Sequence, residues 1–149
     1  METLREGRAR YFRKNGLPED GGYDARWVVI RARGFPIAAF PNSDARRRAV
    51  GFHDLHHVLT GYDTTLLGEA EIAAWELASG CGNFWAAWAL NAAALGIWWV
   101  LGPRRCRAAW RRGRASRNLY RVGAWDGMLA EAVGKVRAQL GIPENGALA

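Results

Sequence analysis

Cysteine is scarce in this sequence, and its opening residues contain no long apolar segment. The two cysteines, Cys81 and Cys106, lie far apart and form no CxxC pair. This scarcity argues against a disulfide framework and favours a reduced, cytoplasmic protein. Residues 1–16, METLREGRARYFRKNG, lack the apolar core of a secretory signal peptide, so we expect no export signal.

Lysine is nearly absent, although the sequence is strongly basic. The net charge of +7 is carried by arginine, since Lys14 and Lys135 are the only lysines. Basic charge favours anionic partners such as a membrane surface, nucleic acid or an acidic metabolite. A GC-rich genome that favours arginine codons explains the same composition equally well. The sequence has neither zinc-finger spacing nor an RNA-binding motif, so we do not expect nucleic acid to be the partner.

The length and composition indicate one domain with a sizeable core. The chain has 149 residues, of which 50% are hydrophobic. Residues 1–22 form a charged N-terminal segment that ends in the loop-like GLPEDGG, and residues 144–149 form a short C-terminal tail. Residues 23–143 are therefore predicted to form the single domain.

A β-hairpin is predicted in RWVVIRARGFPIAAF (26–40). Two runs rich in β-forming residues, Val28–Ile30 and Ile37–Phe40, lie on either side of Gly34. Pro36 marks an edge strand or the start of a strand, because proline cannot donate to a sheet.

Two helices joined by a short turn are predicted next. The first runs through ARRRAVGFHDLHHVLT to Gly61, a typical residue after a helix end, and the second is LLGEAEIAAWELAS, ending at Gly80. The candidate N-cap residues are Asn42 or Ser43 for the first helix and Asp63 or Thr64 for the second. Helices with so short a connection pack antiparallel, so we expect a helical hairpin.

An uncharged stretch from Leu77 to Pro103 follows the hairpin. Its central part, NFWAAWALNAAALGIWWVL (83–101), is about long enough to span a bilayer as a helix. Asn83, Asn91 and the many alanines favour a helix buried in a core or in an oligomer interface. Both interpretations remain open.

The remaining sequence contains a basic segment and one more helix. RRCRAAWRRGRASR (104–117) is the densest basic stretch. A last helix is predicted from about Ala124 to Leu140, with Leu129, Val133 and Val136 at helical spacing. The predicted fold class is mainly α, a helical domain built around the antiparallel helical hairpin with a short N-terminal β-hairpin.

The three histidines all lie in HDLHH, residues 53–57. His53 and His57 are four residues apart, so they lie on one helix face with Cβ atoms about 5–6 Å apart. Two imidazoles at this spacing are typical of HExxH metal sites. Asp54 adjoins the same face, where it can bind a metal or orient an imidazole. His56 points about 100° away and is expected to be a bystander or rim residue. The alternative is that HDLHH is a solvated helix face.

The second helix brings a carboxylate to the same place. Because the turn is centred near residue 63, antiparallel packing places Glu69 opposite His57. Two imidazoles and two carboxylates suit zinc, iron or manganese and leave positions for water or substrate. The predicted metal ligands are His53, Asp54, His57 and Glu69. We expect Glu71 to be exposed, and Glu76 to be a structural hydrogen-bonding group rather than a ligand.

HDLHH followed by eleven residues and Glu69 resembles the HDxxH-x11-E signature of the coenzyme Q biosynthesis protein 4 family. The similarity covers roughly residues 42–143 and includes GYDTTLLGE, NLY (118–120) and a terminal helix that ends in LGIP. It implies a mostly helical protein that binds a metal, usually zinc. The positions that match the family's ligands are His53, Asp54, His57 and Glu69. The motif begins after 52 residues, so the resemblance implies a bacterial-type member in which we expect the family's long helical N-terminal region to be shortened.

The resemblance also implies a role in ubiquinone biosynthesis, on prenylated hydroxybenzoate-type rings at the inner face of the membrane. Family members are described as replacing the C1 carboxylate of the ring by hydroxyl, and also as non-catalytic scaffolds of the biosynthetic complex. They tend to form homodimers. For this chain, Asp54 and Glu69 are then candidates for proton transfer, and residues 104–117 for docking on anionic lipid headgroups. An apolar substrate groove would be lined by Phe84, Trp85, Trp88, Trp98 and Trp99.

Overall fold

The computed structural model describes residues 1–32, 35–122 and 126–147, and this part of the chain is mainly helical. The strands are β1 Trp27–Ala32 and β2 Phe35–Pro41, and the helices are α1 Leu4–Lys14, α2 Asp44–Thr60, α3 Leu66–Ser79, α4 Trp85–Leu101, α5 Pro103–Ala115 and α6 Val133–Leu140. Two 3₁₀ turns, Leu119–Arg121 and Asp126–Ala130, lie between α5 and α6. The predicted fold class, mainly α with a short N-terminal β-hairpin, is confirmed.

Helix α1 lies inside residues 1–22, where the sequence analysis predicted only a charged segment. It begins with a capping box, in which the Thr3 hydroxyl accepts from the Glu6 N–H at 3.3 Å. In return, the Glu6 carboxylate accepts from the Thr3 N–H at 2.8 Å. This exchange satisfies two N–H groups at the helix start, so the Thr–x–x–Glu spacing was a usable signal for α1. Helix α1 packs against α2.

The predicted β-hairpin is present as the antiparallel pair of β1 and β2. Val28 pairs with Phe40, and Val29 pairs with Ala39. The predicted turn residue Gly34 lies outside the described residues. Strand β2 leads directly into α2, so the hairpin lies at the entrance to the helical part of the fold.

The helical hairpin is formed by α2 and α3 and follows the predicted boundaries closely. Ser43 caps α2 by accepting from the Arg46 N–H, and Gly61 follows its last residue with a φ of 82°. Such a left-handed backbone favours glycine. Helix α3 is capped by Thr65, one residue beyond the later predicted cap, and ends before Gly80.

Helix α3 lies at the centre of the core, between α4 and α5. The Trp75 side chain is fully buried there. Helix α5 approaches α3 so closely at Gly113 that a Cβ atom at this position would collide with the Trp75 carbonyl. A glycine at this point therefore permits the close packing of the two helices.

Among the residues of helix α4 whose burial the structure describes, one face is buried and the other is exposed. Ala86, Ala87 and Asn91 are buried, whereas Trp85 and Val100 are 67% and 80% exposed. The face that carries Ala86, Ala87 and Asn91 is therefore buried in the core, and burial of the other face in an oligomer interface stays a prediction. In the part of the chain that the structure describes, no helix is both long and apolar enough to cross a membrane.

The last helix is shorter than predicted. It was expected from about Ala124, which lies outside the described residues, but α6 begins only at Val133. Immediately before it, Ala132 has extended backbone and forms a β-bridge with Thr3. This pairing with the start of the chain is a long-range contact that helical periodicity does not report.

Residues near the chain's end cover the C-terminal end of α2. The Ala147 N–H donates to the Thr60 carbonyl at 2.8 Å. The Arg137 guanidinium donates to the carbonyls of Leu59 at 2.8 Å and Val58 at 3.1 Å. These contacts satisfy carbonyl groups that a helix end otherwise leaves unpaired, and Ala147 is buried by them.

Candidate metal centre

The helical hairpin brings His53, His57 and Glu69 together. The Nε2 atoms of the two histidines lie 3.2 Å apart. One oxygen of Glu69 lies 3.2 Å from His53 Nε2, and its other oxygen lies 3.4 Å from His57 Nε2. The three side chains can thus offer ligand atoms that lie within 4.8 Å of one another. The i, i+4 spacing and the antiparallel pairing predicted this cluster.

The separation of the two histidine nitrogens suits a tetrahedral ion. Zinc–nitrogen and zinc–oxygen bonds of about 2.0–2.1 Å place neighbouring tetrahedral ligands about 3.3–3.4 Å apart. The two Nε2 atoms are 3.2 Å apart, and each of them is contacted by a different oxygen of Glu69, at 3.2 and 3.4 Å. Two imidazoles and one carboxylate are also the donor set of several catalytic zinc sites, which keep a fourth position for water or substrate. The residues present therefore fit a divalent metal ion.

Both histidines are held by their other ring nitrogen. His57 Nδ1 lies 2.9 Å from the Tyr62 carbonyl oxygen, so it carries a hydrogen and donates to that oxygen. His53 Nδ1 lies 2.9 Å from a carboxylate oxygen of Glu76. Metal-binding histidines are commonly oriented by a carbonyl or carboxylate in this way. The Nε2 atoms of both rings thereby face the cluster.

The positive charge of His53 and the negative charges of Glu69 and Glu76 stabilise one another. Burial disfavours the charged imidazolium of His53, but Glu76 and Glu69 outweigh it and raise the pKa of His53 well above its ordinary value. Burial would raise the pKa of Glu69, but hydrogen bonds with His53 and His57 outweigh it and lower that pKa to about 2. Glu69 is therefore ionised at neutral pH, as a carboxylate ligand must be.

Asp54 lies beside the cluster without joining it. Its carboxylate is buried and accepts a hydrogen bond from the Tyr23 hydroxyl at 2.5 Å. Burial raises the pKa of Asp54, and the hydrogen bond from Tyr23 opposes this shift. Its predicted roles as a ligand or as a proton carrier remain predictions. The contact with Tyr23, 31 residues away in sequence, had no sequence signal.

Two expectations about the exposure of neighbouring residues were wrong. His56 is fully buried rather than at the rim, because the segment around Leu119 covers that face of α2. Glu71 is 2% exposed rather than solvated, because α5 packs on that face of α3. There the Glu71 carboxylate accepts two hydrogen bonds from the Arg105 guanidinium, at 3.0 and 2.5 Å.

A pocket of about 340 Å³ opens beside the cluster. Its polar wall includes His53, Asp54 and Glu69. The apolar part of its lining consists of Ala49, Val50, Ala73, Ala87, Leu90 and Ala94. A second pocket of about 210 Å³ shares Arg46 and Leu90 with the first and reaches Trp85. The two pockets thus adjoin at Arg46 and Leu90, and the second lies beside the exposed Trp85 of α4.

The aromatic residues predicted to line one apolar groove lie in different parts of the structure. Trp85 lines the second pocket. Phe84 instead packs edge-on against Phe52, with ring centres 5.3 Å apart, and is part of the core boundary. Trp88 is outside the lining of both pockets, and its Nε1–H donates to the Gly82 carbonyl. The side chains of Trp98 and Trp99 lie outside the described residues.

Tyr11 is a pocket residue that sequence reasoning missed. Its ring stacks on His57 at a centroid distance of 5.1 Å, and it lines the first pocket. Burial raises the pKa of Tyr11, and the nearby Asp54 adds to the shift, so the phenol stays protonated at neutral pH. Because α1 was not predicted, nothing in the sequence pattern placed Tyr11 near the histidines.

Comparisons of this protein with family models, with curated proteins and with solved structures find no match. The resemblance to the coenzyme Q biosynthesis protein 4 family therefore rests on HDLHH, Glu69 and the similarity along residues 42–143.

Proposed function

We propose that this protein binds a divalent metal ion and acts on prenylated hydroxybenzoate-type rings in ubiquinone biosynthesis. The observation that carries the proposal is the cluster of His53, His57 and Glu69 in the wall of an apolar-lined pocket. The sequence motif supports the choice of substrate and favours zinc, while iron and manganese suit the same donor atoms. Association with the inner face of the membrane and a homodimeric state are part of the proposal.

In this proposal, different side chains of the two pockets bind the metal ion, the ring and the prenyl tail. His53, His57 and Glu69 would hold the ion, which when bound supplies a Lewis acid for the ring's carboxylate or phenolate. The ring would lie against Ala87 and Leu90, and the prenyl tail would follow the second pocket towards Trp85. Burial of the tail against these apolar side chains contributes affinity in proportion to the area removed from water.

The proposed reaction replaces the C1 carboxylate by hydroxyl. The bond between C1 and the carboxylate breaks and CO₂ leaves, while a new bond forms between C1 and oxygen. This change removes two electrons from the ring, which an oxidant such as dioxygen accepts. Asp54 and Glu69 are two carboxylates of the pocket that can move a proton, provided that Glu69 is not committed to the metal.

The proposal is tested with metal-loaded protein and a short-chain prenylated hydroxybenzoate. Mass spectrometry is expected to show a product that has lost the carboxylate and gained a hydroxyl. Tight binding without any product would contradict the enzymatic proposal and favour a scaffold. The absence of both binding and product would contradict both.

Trp85→Ala is expected to weaken binding of the prenylated ring about tenfold, because the loss of a large apolar contact costs about 1.4 kcal/mol or more. Trp88→Ala is the matched control, since Trp88 lies on the same helix and is outside the lining of both pockets. Titration calorimetry measures both variants. Equal weakening in the two variants, or an equal loss for the ring without a prenyl tail, would argue against this path for the tail.

A second candidate function is a non-catalytic lipid-binding scaffold with a structural metal. One observation favours it: a basic face on α5 opposite the buried Cys106 and Ala109. The exposed members of this face are Arg104, Arg107, Arg111 and Arg114. Each arginine near an anionic membrane surface contributes about 1 kcal/mol. Under this interpretation the metal ties α2 to α3, and lipid binding does not depend on turnover.

Replacing Arg107, Arg111 and Arg114 by Gln is expected to weaken binding to phosphatidylserine-containing vesicles on the order of 100-fold. The matched control removes the same charge from α1, by replacing the exposed Arg5, Arg13 and Lys14 with Gln. Vesicle sedimentation measures both. If the two variants lose affinity equally, net charge rather than the α5 face is responsible, and the proposed docking face is wrong.

A further inference from the structure

We infer that Glu76 is a positioning residue of the metal centre, which holds His53 in the tautomer and orientation that direct Nε2 at the ion. The inference rests on the proposed metal site. It adds a residue that lies outside the family signature, seven positions beyond Glu69 in sequence.

The Glu76 carboxylate is fully buried and is held from several sides. One oxygen, Oε1, lies 2.9 Å from His53 Nδ1 and 2.7 Å from His56 Nδ1. The other oxygen, Oε2, accepts from Asn91 Nδ2 at 2.6 Å and from the Tyr120 hydroxyl at 3.0 Å. These donors come from α2, from α4 and from the first 3₁₀ turn, so the carboxylate has a single orientation.

The hydrogen bonds of His56 determine which ring nitrogen of His53 carries a hydrogen. His56 Nε2 accepts from the Leu119 backbone N–H at 3.0 Å, so the hydrogen of a neutral His56 is on Nδ1 and points at Glu76. A carboxylate oxygen is an acceptor only, and it therefore requires a donor from His53 as well. His53 Nδ1 must carry a hydrogen, which leaves the Nε2 lone pair for the metal.

The negative charge of Glu76 has a second effect on His53. A carboxylate that accepts from a metal-binding histidine makes the imidazole a more basic ligand. Loss of such a partner typically lowers metal affinity 10–100-fold. A Glu76 that only stabilised the fold would change the stability of the metal-free protein and leave the affinity of the folded protein unchanged.

Glu76→Gln is the test variant, because Gln keeps the shape and one acceptor oxygen but removes the charge. Asn91→Ala is the matched control, since it removes a hydrogen bond to Oε2 and leaves the contact with His53 in place. Titration with Co²⁺, followed by visible absorption, reports affinity and ligand geometry together. Thermal unfolding in the presence of a chelator reports the stability of the metal-free protein separately.

We expect Glu76→Gln to weaken Co²⁺ binding 10–100-fold and to shift its absorption spectrum, while Asn91→Ala stays near wild type in both. Equal affinity and an unchanged spectrum in Glu76→Gln would overturn the inference and leave the proposed metal site intact. No binding of Co²⁺ by the wild type would instead overturn the metal site itself. If Glu76→Gln does not fold, the NMR chemical shifts of the imidazole nitrogens in the zinc-loaded wild-type protein test the inference instead. A hydrogen on His53 Nδ1 supports the inference, and a metal-bound Nδ1 overturns it.

Discussion

Purified wild-type protein is expected to contain about one transition-metal ion per chain, and His57→Ala is expected to lose it. Structural zinc binding is worth about 10–16 kcal/mol, so removing one of the few ligands costs roughly 4 kcal/mol, or on the order of a thousandfold in affinity. His57 Nε2 lies within 3.4 Å of both the Glu69 carboxylate and His53 Nε2, so the substitution removes one of the three ligand atoms of the cluster. Mass spectrometry of the metal content, after dialysis, measures the effect.

The control for this measurement is Arg48→Ala, an exposed position on the same helix, which should keep its metal. Circular dichroism establishes that both variants are folded. Retention of metal by His57→Ala would show that the ion binds elsewhere. A wild-type protein without metal, purified with no chelator, would leave HDLHH as part of a buried hydrogen-bonding network that holds no ion.

His56→Ala is expected to destabilise the metal-free protein by about 3–4 kcal/mol. The side chain is fully buried, so its removal leaves a cavity. It also leaves the Leu119 N–H without an acceptor and removes one donor from Glu76. For a chain of this length, the loss lowers Tm by about 10 °C.

Thermal unfolding in the presence of a chelator measures this effect without a contribution from metal. Arg48→Ala again serves as the control and should change stability by less than about 0.5 kcal/mol, as exposed substitutions usually do. If His56→Ala behaves like this control, His56 is a rim residue, and the buried network described above is wrong.

The helical hairpin could be predicted because its signals are local. The cap at Ser43 and the glycine at Gly61 bound α2, and the i, i+4 spacing with the position of the turn brings Glu69 to the two histidines. Each of these signals acts within about one or two helical turns, where side-chain geometry follows directly from sequence spacing.

The features that could not be predicted depend on contacts between distant parts of the chain. Burial of His56 requires the turn at Leu119, and burial of Glu71 requires α5. The shortened α6 reflects the pairing of Ala132 with Thr3. Helix α1 is the exception, since its capping box is a local signal within a segment whose composition is dominated by charge.

The contact between Ala147 and the end of α2 has a practical consequence for producing the protein. The Ala147 N–H and the Arg137 guanidinium hold the carbonyls of the same helical turn that carries His57. An expression design that deletes residues 144–147 as a dispensable tail would therefore leave the Thr60 carbonyl without its donor and remove the Glu144 carbonyl that accepts from Arg137. A cleavable tag placed beyond residue 147 leaves that cap in place.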